Sequence, residues 1–167
     1  MLGLYENFPQ GVHGKEIFTY KLSRKRLQQK LLNALLGING KTFSFKQLAN
    51  PATLDCTVIL EIGIADAESF NYLDVEETQK ALEILKKEPF ENLDFFLVFR
   101  YYRSTDKCSR PLKFDYYMLR MNFNKDGAEL RVFHEKGPRY VAPEDIITFL
   151  VNIFNAASTK RILKPVV

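Results

Sequence analysis

The chain of 167 residues has no tryptophan and only two cysteines and two histidines. Cys56 and Cys108 are far apart, and neither has another cysteine or histidine at the short spacing of a zinc site. The sequence therefore predicts neither a disulfide scaffold nor a metal site, and no cofactor is expected. So few cysteines are typical of a reducing setting, which predicts an intracellular protein, cytoplasmic or nuclear.

Targeting and nucleotide-binding signals are also missing. The first residues lack the charged and apolar segments of a signal peptide. The uncharged segment 146–159 is too short to span a bilayer, so no membrane partner is expected. The chain has no Gly-rich phosphate loop and no G-x-S-x-G motif, which makes an enzyme the less favoured class.

Charge is present but unevenly distributed along the chain. Residues 1–50 carry eight Lys and Arg against two Asp and Glu, residues 51–99 carry three against eleven, and residues 100–167 carry thirteen against seven. The net charges of the three parts are thus +6, −8 and +6, which sum to the overall +4. Such a chain either folds into separate basic and acidic faces or mixes its charges in space.

The hydrophobic periodicity predicts five strands and three helices. Apolar residues alternate at 16–22, 56–64, 93–103, 112–123 and 128–135, and they recur at helical spacing at 24–36, 75–87 and from 143 onward. The order β-α-β-α-β-β-β-α predicts an α+β fold. We expect a single-domain two-layer sandwich with a mostly antiparallel sheet of about five strands and about three helices, mainly on one face. Residues 15–159 form the predicted domain, between an irregular segment 1–14 and a tail 160–167.

Local signals place the ends of these helices. Ser23 is suited to cap the first helix, and Gly37 is suited to its C-terminal end. Asp74 with Glu77 has the pattern of a capping box, and Pro143 fits the first position of the last helix.

Most of the aromatic residues lie in the stretch 92–155, which holds the late strands and the last helix. A change in the parity of apolar positions predicts a bulge or bend near Tyr116, and the turn 124–127 predicts a hairpin that ends at Gly127. His134 faces inward by its parity. The last helix is apolar around most of its circumference, so it is either deeply buried or docks a partner or a second copy of the chain.

Two basic sets are the candidate binding residues. The first opens a helix, where cations are locally unfavourable and free N–H groups attract anions: Arg24, Lys25, Arg26 and Lys30. The second combines cations with tyrosine on a strand and its loop, as nucleic-acid surfaces do: Arg100, Tyr102, Arg103, Lys107, Arg110 and Lys113. The alternative for both sets is an ordinary solvated surface. No known nucleic-acid-binding motif accompanies them.

The sequence therefore favours a non-catalytic module that binds a polyanion, most simply RNA or DNA, and it predicts that both basic sets lie on one face. The alternative is a protein–protein interaction subunit that docks through the apolar last helix or the acidic middle segment. A small enzyme using His134 is a third hypothesis, in which Cys56 is a conceivable partner, although its apolar strand face is typical of an inert thiol.

Overall fold

The strands of the protein pair into one antiparallel sheet. The computed structural model describes residues 1–49, 56–103, 113–125 and 127–166. Within these residues the strands are β1 (Gly14–Thr19), β2 (Thr42–Ser44), β3 (Cys56–Asp66), β4 (Ser69–Tyr72), β5 (Asn92–Arg103), β6 (Lys113–Asn124), β7 (Gly127–Lys136) and β8 (Lys164–Pro165). The helices are α1 (Arg24–Ile38), α2 (Phe45–Leu48), α3 (Val75–Lys87) and α4 (Pro143–Ala156). No helix among them is long and apolar enough to cross a membrane.

The sheet has the order β2-β3-β5-β6-β7-β1-β8, and β4 pairs with the free side of β3. Alternation gives the sheet two different faces. The inner face of β5 carries Phe95, Leu97 and Phe99, each fully buried, whereas Phe96 and Val98 on the outer face are half-buried. The α+β class and the antiparallel sheet predicted from the sequence are therefore confirmed. The sheet has three short strands more than the five predicted.

Helix α4 lies at the centre of the inner face. It packs on β7 and β1, near one edge of the sheet, and its Phe149 also meets Phe43 of β2, at the other edge, with ring centroids 5.1 Å apart. Ile146, Leu150 and Phe154 are completely buried, and Ile147, on the other flank of the helix, is 1 % exposed. Both apolar flanks of this helix are therefore covered within the chain, so neither is open for docking a partner.

The helix caps match the local signals in most cases. The Ser23 hydroxyl accepts from the N–H of Arg26, and the Asp74 carboxylate accepts from the N–H of Glu77. Gly37 is the exception, because α1 continues through it and is capped by Asn39. The Asn39 side chain binds the backbone of Ile62, and this tertiary contact extends the helix beyond the glycine.

The bulge predicted near Tyr116 lies on the partner strand β7 and not on β6. The pairing of β6 with β7 does shift between Tyr116 and Tyr117, but the extra residue is Glu135 of β7. Strand β6 itself keeps its alternation, so Phe114 and Tyr116 lie on the outer face of the sheet. The hairpin turn is formed as predicted, with Asn124 opposite Gly127.

Both ends of the described chain join the sheet. The N-terminal residues cover part of the outer face: the N–H of Tyr5 donates to the carboxylate of Asp94, and Phe8 lies under the guanidinium of Arg120 at 4.4 Å. Arg120 donates two hydrogen bonds of 2.7 Å to the fully buried Asp94. At the other end, β8 pairs with β1, although the sequence indicates only a tail there.

Candidate functional site

The two predicted basic sets lie at opposite ends of the sheet. Phe18, at the end of β1, pairs with Ala128, which in turn pairs with Phe123. The neighbouring Asn122 lies opposite Asn92, where β5 begins. Helix α1 with the first set follows that end of β1. Lys113 lies opposite Tyr101, near the other end of β5, which is about 30 Å away at 3.3 Å per residue. The structure therefore does not bring the two sets onto one surface.

The second set is dispersed over its end of the sheet. Arg100 and Tyr102 lie on the outer face, and the Arg100 guanidinium is held by Glu61 at 2.7 Å and by the Phe114 ring at 5.9 Å. Arg103 and Lys113 are exposed. Lys107 and Arg110 lie outside the described residues. Arg100 is therefore already paired with a carboxylate and is less available to a phosphate than an unpaired cation is.

Two residues of the first set, Arg26 and Lys30, line a cleft of about 600 Å³ together with segments distant in sequence. One wall is α1 with the connection that precedes it, and the other is the segment between α4 and β8. The lining comprises six cations, namely Lys21, Arg26, Lys30, Lys160, Arg161 and Lys164, with Thr19, Tyr20, Leu22, Ser158, Thr159 and Ile162. We call this site the basic cleft.

The second wall of the basic cleft is fixed by Asn155, near the end of α4. Its side-chain oxygen accepts from the N–H groups of Ile162 and Leu163 at 3.0 and 2.9 Å, and its amide donates to the carbonyl of Leu163 at 3.0 Å. The chain then enters β8, where Lys164 lies opposite Thr19. Ile162 and Leu163 are buried, so the segment is anchored between the exposed Lys160 and Arg161 before them and the exposed Lys164 after them.

The basic cleft is electrostatically one-sided. No Asp or Glu lines it, and none of its six cations is within ion-pair distance of a carboxylate in the described part of the chain. The acidic middle of the chain neutralises other cations instead: Glu77 and Glu83 of α3 pair with Lys80 and Lys86 of the same helix, each at 3.0 Å. Uncompensated charges of one sign in a concave site raise the local positive potential.

Two shallower concavities continue the basic cleft along α1. The first shares Arg26 and Lys30 with the cleft and adds Lys25. The second shares Lys25 with the first and reaches Lys86 at the end of α3. Lys25 itself donates to the carbonyl of Lys86 at 2.8 Å. The three concavities form a continuous track, which we call the basic track. Arg24 of the first set is half-buried and lines none of the three.

Sequence reasoning missed four of the six cations of the basic cleft. Lys160, Arg161 and Lys164 form a visible basic cluster after the last helix, but they fall in the segment expected to be a tail. Lys21 stands alone before the helix cap. The pairing of β8 with β1 and the contacts of Asn155 bring these residues together with α1, and a strand of two residues leaves no periodic pattern in the sequence.

His134 faces inward as predicted, and the groups around it hold the fold together. Its Nε2 lies 2.9 Å from the Asp115 carboxylate, which is fully buried. The same carboxylate accepts from the Tyr101 hydroxyl and from the backbone N–H groups of Arg139 and Tyr140, at 2.7, 2.7 and 2.9 Å. Four donors thus converge on Asp115, and two of them fix the loop before α4.

The same cluster raises the pKa of Tyr101 far above its ordinary value, because burial and neighbouring Tyr117 and Asp115 disfavour the phenolate. A tyrosine in this state stays protonated and cannot act as a base. Cys56 is buried on the inner face of β3. Among the described residues no group of three or more His, Cys, Asp or Glu side chains could hold a metal ion.

The basic cleft is therefore the strongest candidate site in the described chain, because it combines concave shape, uncompensated charge and an anchored wall. Its lining has no histidine, carboxylate or thiol, and its cations are suited to anions. Comparison of the chain with protein-family models, with curated proteins and with solved structures finds no match in any of the three.

Proposed function

We propose that the protein is a non-catalytic binding module for a polyanion, most simply RNA or DNA, whose phosphates it binds along the basic cleft. The observation that carries the proposal is the lining of the cleft, with six cations and no carboxylate. Like charges held together repel each other, and phosphate groups that bind among them relieve this repulsion while they release counterions.

The basic track favours a chain of phosphates over a single anion. A lone phosphate or sulfate would occupy only one of the three concavities. A nucleic-acid strand can contact cations in succession, from Lys164 and Arg161 through Lys30 and Arg26 to Lys25. Because each contact releases condensed counterions, the affinity of such a complex falls steeply with salt.

The test is a salt titration with a matched charge control. Fluorescence anisotropy measures the affinity of a labelled DNA or RNA strand of about 12 nucleotides between roughly 50 and 200 mM KCl. The cleft variant is Lys160→Gln/Arg161→Gln/Lys164→Gln. The control variant, Arg103→Gln/Lys113→Gln/Lys136→Gln, removes the same charge from exposed residues at the opposite end of the sheet.

We expect the cleft variant to lower the slope of log affinity against log salt by about 2, since each lost single-strand contact removes about 0.7. The control variant should keep the wild-type slope. Equal slopes for the cleft variant and wild type would show that the cleft does not hold phosphates. Equal losses in both triple variants would instead indicate attraction by net charge alone, without a site.

A further inference from the structure

We infer that the basic cleft is built for a single strand, with one unpaired base stacked on Tyr20. This inference rests on the proposed function and adds the form of the nucleic acid. The observation that supports it is the difference between the side chains at the rim and those at the floor of the cleft. The rim is cationic, while Tyr20, Leu22 and Ile162 give the cleft an aromatic and aliphatic surface that phosphates do not need.

Tyr20 is an aromatic side chain that the fold leaves without a polar or aromatic partner. It lies in the connection between β1 and α1 and is half-buried against the core. Within the described residues its ring contacts no other ring and its hydroxyl makes no hydrogen bond. Tyr101 and Tyr117 show the opposite situation, because both hydroxyls are hydrogen-bonded and both rings pack on aromatic neighbours.

A single strand matches both parts of this lining. Its phosphates meet the cations of the rim, and a base turned out of the strand offers a flat face to the Tyr20 ring. Stacking of this kind is insensitive to base identity, since every base has a π-face. The volume of about 600 Å³ lies within the range of sites that enclose small organic groups. A duplex keeps its bases stacked inside, so it can use the rim alone.

The experiment tests the contribution of the base apart from that of the phosphates, first by changing the probe and then by changing the protein. Anisotropy compares four probes that carry equal numbers of phosphates: a thymidine DNA strand, an abasic DNA strand, a DNA duplex, and inorganic polyphosphate as an unlabelled competitor. The protein variants are Tyr20→Ala and Tyr20→Phe, which keeps the ring. Tyr102→Ala is the matched control, because Tyr102 is a half-buried tyrosine at the opposite end of the sheet.

For wild type we expect the thymidine strand to bind about 5- to 150-fold more tightly than the abasic strand, which corresponds to one stacked base. Tyr20→Ala should remove this difference and leave polyphosphate binding unchanged. Tyr20→Phe and Tyr102→Ala should behave as wild type does. The abasic comparison uses the unaltered protein, so it stands even where Tyr20→Ala fails to fold.

Three other outcomes would contradict the inference in distinguishable ways. Equal affinity of wild type for the thymidine and abasic strands means that no base is bound, while the proposed phosphate site survives. A duplex that binds as tightly as the single strand at equal phosphate number likewise excludes base stacking. Failure of all four probes to bind overturns the proposed function together with the inference.

Discussion

Truncation of Phe154 to alanine tests the central position of α4. The Phe154 side chain is completely buried in the main core, on the helix that packs on β7 and β1. A phenylalanine buries at least about 150 Å². At about 25 cal/mol per Å² this corresponds to nearly 4 kcal/mol, and the cavity left behind adds to the loss. We therefore expect Phe154→Ala to lower the free energy of unfolding by about 3–5 kcal/mol.

Urea denaturation followed by circular dichroism measures this loss, and a thermal melt should show the midpoint falling by roughly 6–20 °C for a domain of this size. Asn152→Ala is the control, because Asn152 is exposed on the same helix and its replacement changes helix propensity without changing the core. A loss below about 1 kcal/mol for Phe154→Ala would be that of a surface substitution and would refute the central placement of α4.

Three further predictions concern polar contacts. The His13 ring accepts a hydrogen bond from the N–H of His134, and partial burial, followed by the nearby Arg139 and His134, lowers the pKa of His13, so its neutral form is favoured in the folded state. Stability should therefore fall as the pH drops through and below about 6.5, and urea midpoints from pH 8 to 5 should decline less in His13→Asn. Asp94→Ala leaves the Arg120 cation without its carboxylate partner and should lower the free energy of unfolding by about 3 kcal/mol. Adding Arg120→Met should recover part of this loss in the double variant. Asn155→Ala should cost about 1–3 kcal/mol and speed hydrogen exchange at residues 162 and 163, and unchanged exchange there would contradict the anchoring of the cleft wall.

Local chemistry explains what the sequence could predict. Ser23, Asp74 and Pro143 act on groups within one helical turn, so their effects were visible without any tertiary information. The alternation of the long strands was equally clear, because each strand repeats its pattern over several residues. Gly37 was misleading, since the contact of Asn39 with Ile62 outweighs the local tendency of a glycine to end a helix.

The site depended on contacts that no local pattern contains. Arg26 and Lys30 were among the predicted binding residues because they open a helix, but Lys160 and Arg161 join them in the cleft through the tertiary contacts of Asn155 and β8. The second basic set was selected by composition, which carries no information about distance. For Arg100 the pairing of β3 with β5 places Glu61 within reach, and no local pattern of residues indicates that pairing.

The position of α4 has a consequence for how the protein is made. During synthesis α4 leaves the ribosome only after β1 to β7 and the other three helices. Until then the apolar inner side of the sheet lacks the helix that packs on β7 and β1, and β1 must also wait for β7, since Gly14 pairs with Val132. Such non-local pairing slows folding. The nascent chain should therefore depend on holding chaperones until the last helix emerges.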